Sequence, residues 1–208
     1  MAAQPAALDV ITMGRCSIDL YGQQIGSRLE DIGSFAKSVG GSPTNIAIGT
    51  ARLGLRSGLI TRVGDEQMGR FVLEQMGREG VSTRGIKTDP ARLTSLVLLA
   101  VESDKAFPLI FYRDNCADSA LCEDDVNEDF IRDAGALLVT GTHFAREVND
   151  KAQRKAMALA KKHGRRIIID IDYRPNLWGL AGHGAGEERY IKSDKVTAHL
   201  QSILADCD

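Results

Sequence analysis

Apolar residues fall along this chain in short unbroken runs, separated by longer stretches in which they recur every three or four positions. The run Leu8–Gly14 (LDVITMG) predicts a buried strand that opens into a loop. Residues 57–64 (SGLITRVG), Ala136–Thr140 and Arg166–Asp170 have the same character. Helix signals lie between these runs. Ser42 as N-cap, Pro43 as first helical residue and Gly54 as stop predict a helix ending at Leu53. Asp65 predicts the cap of a helix from Glu66 to about Glu79, closed by Gly80. Asn149 predicts the cap of a helix running to His163, with Lys161, Lys162 and His163 on the negative end of its dipole and Gly164 as stop. A last helix is predicted over Glu188–Leu204, after a glycine-rich loop at 179–186. Fully apolar strands alternating with amphipathic helices, clearest from about residue 134 onward, predict a parallel α/β sheet.

Two regions break that rhythm. Residues 18–39 are mixed and polar, interrupted at Gly22, Gly26 and Gly33. Residues 94–103 and 107–113 read as a β-hairpin turning around Ser103–Ala106. Such strands fit a small β appendage over one edge of the sheet. With neither internal repeat nor low-complexity linker, residues 1–208 read as a single domain carrying this appendage.

Composition narrows the range of partners. The 208 residues carry a formal net charge of -2, with 43% hydrophobic and 26% charged residues. Basic residues cluster no further than the pairs Lys161-Lys162 and Arg165-Arg166, so no footprint for nucleic acid is expected. The four cysteines (Cys16, Cys116, Cys122 and Cys207) include no CxxC pair, which predicts reduced thiols and no metal site. Met1–Ala7 lacks the basic and apolar segments of an export signal, and no apolar stretch reaches the roughly 18 residues of a membrane span. A cytoplasmic protein that holds a small ligand by a few placed groups is the expectation.

Three stretches offer such groups. In GGSPTN, the glycine pair Gly40-Gly41 lets backbone approach a ligand, the free N–H groups of the following helix face oxygen, and Asn45 both donates and accepts. From these residues alone, the stretch is either a well-capped turn or a seat for a polyhydroxyl ligand. Asp19 follows the first strand closely; a carboxylate there is a solvated loop residue or an acceptor for two neighbouring hydroxyls. Asp170, Asp172 and Arg174, in DIDYRPNLW, sit at the carboxyl end of a buried strand, where ligands of parallel sheets collect. Asp172 and Arg174 read as substrate or phosphoryl contacts, or as a structural ion pair. Trp178 reads as core, and His143, at another strand end, as a satisfied structural histidine.

The first signature of the ribokinase family, also called the PfkB carbohydrate kinases, is similar in spacing to Gly40, Gly41, Pro43, Asn45, Ala47, Gly54 and Gly64. Gly14 and Asp19, and the loop Val63–Gly69 (VGDEQMG), also fall where that family has them, so the resemblance covers essentially the whole chain. It implies a ribokinase-like three-layer α/β/α fold with a mostly parallel sheet, incomplete toward the C-terminus, and a small β-sheet lid from strands near 18–39 and 94–113. It further implies that Asp19, Gly40, Gly41 and Asn45 hold sugar hydroxyls, with Asp172 acting on a hydroxyl or, through water, on magnesium. The Phe111–Asn115 stretch (FYRDN) is similar to 2-keto-3-deoxygluconate kinases, which implies that Tyr112 and Arg113 contact an acidic sugar.

By the same resemblance Arg174 supports the reaction, ATP and magnesium are cofactors, and copies pair lid to lid as homodimers. The implied reaction phosphorylates a terminal hydroxyl of a keto-deoxy sugar acid, with 5-dehydro-2-deoxygluconate of myo-inositol catabolism first. Alternatives are 2-keto-3-deoxygluconate, fructose, or a non-catalytic sugar-binding module; a dinucleotide-binding oxidoreductase lacks its GxGxxG. The family's catalytic Gly-Ala-Gly-Asp turn would lie beyond Asp208. Gly184-Ala185-Gly186-Glu187 resembles that turn but comes too early, so it reads as a surface loop and Glu187 is not the base. The 208-residue chain alone is therefore expected to be inactive. Its open sheet edge predicts poor stability as a monomer or pairing with another chain.

Overall fold

The computed structural model describes residues 7–208. The reading of Met1–Ala7 as free of an export signal thus lies outside the described residues, save for Ala7. Five parallel strands form the main sheet: β1 (Leu8–Met13), β4 (Ser57–Gly64), β5 (Ser82–Asp89), β8 (Ala134–Thr140) and β9 (Arg166–Asp170), in the order β5-β4-β1-β8-β9. A second, mixed sheet in the order β3-β2-β6-β7 is built from β2 (Ser17–Gly22), β3 (Phe35–Gly40), β6 (Ser95–Leu99) and β7 (Leu109–Tyr112).

Over the inner strands β1, β4 and β8 both faces of the main sheet are covered, which is why those strands are mostly apolar without alternation. On one face, Ile11, Met13, Ile60 and Leu137 pack with Phe130 and Ile131 of α3 (Glu128–Arg132), Ala152 and Ala156 of α4 (Glu147–Lys162), and Val196 and Leu200 of α5 (Asp194–Leu204). On the other, Leu59 and Val63 pack with Ala47 of α1 (Ser42–Arg52) and with Val72 and Met76 of α2 (Gln67–Arg78). Ile18 and Val39 join this second cluster and tie the small sheet to the large one. Trp178 packs partly buried against the first cluster, as read. Among the described residues no helix is long and apolar enough to cross a membrane.

The helix stops at Gly54, Gly80 and Gly164 fall as read, each with positive φ. The helix starts differ, for tertiary reasons. Gly41, at φ 98, occupies the cap of α1, and Ser42 is the first helical residue, its hydroxyl donating to the Asp170 carboxylate instead. Glu66 rather than Asp65 caps α2, its carboxylate accepting from the amides of Met68 and Gly69 at 2.6 and 3.1 Å. Asn149 lies inside α4, its side-chain amide donating to the carbonyls of Ser119 and Leu121. The last helix begins only at Asp194, with Ser193 accepting from the Val196 amide. β5 was not anticipated: as an edge strand it carries exposed polar residues and shows no apolar run.

Candidate functional site

At the carboxyl ends of β1 and β9 the main sheet stops, and the second sheet stands over the opening. Between them lies a hollow of about 670 Å³. Its shape follows from strand alternation, since successive side chains point to opposite faces. Ser17, Asp19 and Tyr21 of β2 face inward, and so do Val97 and Leu99 of β6 and Leu109 and Phe111 of β7. Ile18, Leu20, Leu96, Ile110 and Tyr112 face the other way, into an apolar groove on the outer side of the sheet.

Asp19 stands half-buried on the inward face and accepts a hydrogen bond from the Ser17 hydroxyl at 2.8 Å. Burial pushes its pKa above the usual carboxylate range, against the opposing pull of Ser17, Arg15 and Arg113. Its remaining acceptor capacity faces the hollow, and hydroxyl donors from a ligand would replace the lost water. Gly40 lies directly beneath, where a β-carbon would overlap the Asp19 carboxylate; Gly41 lies against the Arg15 carbonyl, with no room for one either. The twin glycines therefore let α1 begin close to β2. Asn45, in the first turn of α1, faces the same hollow, and its side-chain amide has no hydrogen-bond partner among the described residues.

The opposite wall is ionic. Asp172, at φ 35 in the turn after β9, receives Nε and Nη2 of Arg15 at 3.0 and 2.7 Å in a buried bidentate pair. Nη1 of Arg174 stands 3.4 Å from the same carboxylate. The Asp172 amide donates to Asp170 at 3.1 Å, and the Thr142 hydroxyl donates to the Asp172 carbonyl. Asp172 thus reaches the wall as predicted, but its oxygens are spent on Arg15. What the turn presents is a fixed guanidinium, beside those of Arg174 and Arg189.

The structure gathers Asp19, Gly41, Asn45, Asp172 and Arg174 around one hollow, with Gly40 packed behind Asp19. It separates Tyr112 and Arg113 from it. Tyr112 is 55% exposed on the outer face, because Phe111, one residue earlier, takes the inward position. Arg113 lies past the end of β7, pairs with buried Asp118 at 2.6 Å and donates to the Ser95 hydroxyl at 3.0 Å. The placing of Tyr112 on the inner face is corrected in this respect, while Arg113 lines not the large hollow but a smaller one beside it. His143 is buried as expected but is not satisfied, since its Nε2 has no partner among the described residues. Glu187 is exposed in a loop that Gly186 docks against the Leu109 carbonyl. Arg15 and Arg189 were missed. Arg15 follows Gly14 at a strand end, which is a usable signal; Arg189 offers none. No group of three or more His, Cys, Asp or Glu side chains arranged for a metal ion occurs among the described residues, so these residues do not by themselves form a magnesium cage.

Comparison with known proteins fits this geometry. The profile described as pfkB family carbohydrate kinase matches residues 7–182. The chain is 42% identical over 176 residues to the 5-dehydro-2-deoxygluconokinase of Geobacillus kaustophilus, covering 84% of this chain and 52% of that protein. It spans about half the length of the curated relatives it matches. A crystal structure of a PfkB protein from a Polaromonas species superposes with a TM-score of 0.85 at 29% identity, over 97% of this chain and 64% of that one. A sugar kinase from Pyrococcus horikoshii, solved in complex with ATP, has a TM-score of 0.75 at 29% identity, over 82% of this chain and 55% of that one.

Proposed function

This chain belongs to the pfkB family of carbohydrate kinases, and on that footing we propose that the protein phosphorylates a terminal hydroxyl of a keto-deoxy sugar acid, 5-dehydro-2-deoxygluconate first among them. The observation that carries the reading is the hollow itself. A carboxylate and an amide suited to hydroxyls, Asp19 and Asn45, face three guanidinium groups suited to a carboxylate, Arg15, Arg174 and Arg189. Val97, Leu99, Leu109 and Phe111 supply an apolar wall that would keep water from the acceptor hydroxyl.

In this reading the second sheet serves as a lid, and the residues described here bind and orient the sugar. Bound ATP, with magnesium, would supply the phosphoryl group. The base and the nucleotide contacts are assigned to the half of the relatives that this chain does not span. The free thiols support a cytoplasmic setting. The outer groove, with Leu20, Leu93, Leu96, Ile110 and Tyr112, supports pairing of two copies through their second sheets.

The test has two arms. The 208-residue chain should bind the sugar acid and yield no phosphorylated product with ATP. The same residues joined to the second half of the Geobacillus kaustophilus relative should phosphorylate it, with kcat/KM at least tenfold above that for fructose or 2-keto-3-deoxygluconate. Turnover by the 208-residue chain alone, or a preference of the chimera for fructose, would overturn the assignment.

A further inference from the structure

The chain leaves the main sheet at the end of β1 and enters the second sheet at Ser17, the first residue of β2. Gly14, Arg15 and Cys16 cross between the two and belong to neither strand. A buried crossover needs other partners for its backbone groups. Cys16 is fully buried, and side chains supply both of its partners. Its N–H donates to Oδ2 of Asp118 at 3.1 Å, and its carbonyl accepts from the Ser95 hydroxyl at 2.7 Å. Arg113 ties the two together, with Nη2 2.6 Å from the same Oδ2 and Nη1 donating to Ser95 at 3.0 Å. Asp118 itself opens the 3-10 turn Asp118–Ala120 beyond β7, is 1% exposed and does not line the sugar hollow.

The residues on either side of Cys16 both serve the hollow. Arg15 sends its guanidinium to Asp172 in one wall, and Ser17 donates to Asp19 in the other. The Arg15 carbonyl is enclosed by the Thr44 hydroxyl at 3.2 Å and by Gly41. A drift of Cys16 therefore carries Arg15 and Ser17 with it. Burial raises the Asp19 pKa, and Ser17, Arg15 and Arg113 pull against it. Two of those three are the chain neighbours of Cys16, and the third is its strut. Asp118 makes both of its bonds with one oxygen, since Oδ1 is buried without a partner among the described residues. An asparagine can set its carbonyl oxygen in the place of Oδ2 and its amide in the place of Oδ1, whereas a leucine offers no acceptor.

We propose that Asp118 is a positioning residue of the sugar site. Through the Cys16 amide, and through Arg113 and Ser95 on the Cys16 carbonyl, it fixes the crossover that places Arg15 and Asp19 about one ligand. The clamp stands whatever the ligand is, and its consequence for binding rests on the sugar reading.

Two measurements on the 208-residue chain test it, on variants whose circular dichroism matches wild type. Carbon-13 NMR follows the titration of the Asp19 carboxyl without ligand, and calorimetry measures gluconate binding. Asp118→Leu should move the Asp19 titration to higher pH and weaken gluconate about tenfold, the weight of one charge-assisted hydrogen bond. Loss of a nearby negative charge would by itself move that titration to lower pH, so the sign separates displacement from a change of field. Asp118→Asn should restore both, with no upward shift and an affinity within about threefold of wild type. Ser95→Ala removes only the carbonyl half of the clamp and no charge. It should shift Asp19 upward too and weaken gluconate about threefold, and it decides the matter should Asp118→Leu not fold. Asp19 titrating as in wild type in Asp118→Leu, or in Ser95→Ala where that variant decides, overturns the proposal, for the clamp then only stabilises the fold. Asp118→Asn as damaging as Asp118→Leu overturns it as well, because charge rather than contact would then matter. If wild type binds no gluconate while Asp19 shifts as stated, the sugar reading fails and the positioning role stands.

Discussion

Asp19 and Asp172 face one hollow from opposite sheets, and they are in opposite states. Asp19 is half-buried, with one hydroxyl from Ser17 for company and a pKa raised by burial. Asp172 is buried with both oxygens engaged by Arg15 and a second arginine close by. The first is a carboxylate whose lost hydration is not made good by the protein; the second is neutralised and serves to aim a guanidinium. Whether an acidic residue is free for a ligand depends on what already satisfies it, and not on its position at a strand end.

The sharpest break of this contrast is Asp172→Ala. It leaves Arg15 buried without its counter-charge, and chemical denaturation should show a loss of about 3–5 kcal/mol. A loss below about 1 kcal/mol would mean that the pair is not what organises this wall. Next is Gly40→Ala, whose β-carbon would displace the Asp19 carboxylate. It should cost about 1–3 kcal/mol of stability, as overpacking does, and abolish measurable binding of a sugar acid.

Asp19→Asn comes third and separates binding from folding. Sugar affinity should fall about 10- to 100-fold, the loss of a charge-assisted bond, while stability at neutral pH holds or rises. The pH dependence carries two signs. Because the folded-state pKa of Asp19 is raised, its contribution to stability is full below the ordinary carboxylate pKa and is lost as pH rises through the raised value. Binding of hydroxyls to the ionised form runs the other way, weakening as pH falls through that value. Both slopes should flatten in Asp19→Asn. The smallest effect is expected for Tyr112→Ala on the outer face: sugar affinity within twofold and a stability change within about 0.5 kcal/mol. A tenfold loss of sugar affinity there would put the ligand on the wrong side of the sheet.

Much of the architecture was legible because it is dictated locally. β1, β4 and β8, covered on both faces, announce themselves as apolar runs, and so does the edge strand β9, although its Ile168 is 41% exposed. The edge strand β5 is half polar and gives no such sign. Helix ends marked by glycine were readable, since the backbone requirement belongs to that residue. Helix starts were not, because Ser42 and Asn149 are drawn to Asp170, Ser119 and Leu121, partners that only the folded chain brings near. In the site, turn and cap chemistry left Asp19, Gly41 and Asn45 open between a plain turn and a ligand seat, and it was the family resemblance that grouped them; the fold brings them to one hollow. Phe111 against Tyr112 could not: alternation shows that they face apart, but which face meets the hollow is set by how the second sheet docks.

The most direct measurement is titration of a sugar acid into the wild-type chain, Asp19→Asn and Asn45→Ala, with circular dichroism to establish that all three fold alike. If β2 and α1 grip one hydroxylated ligand between them, each variant binds at least tenfold more weakly than wild type. If both bind as tightly as wild type, the hollow between the two sheets is not where the sugar sits.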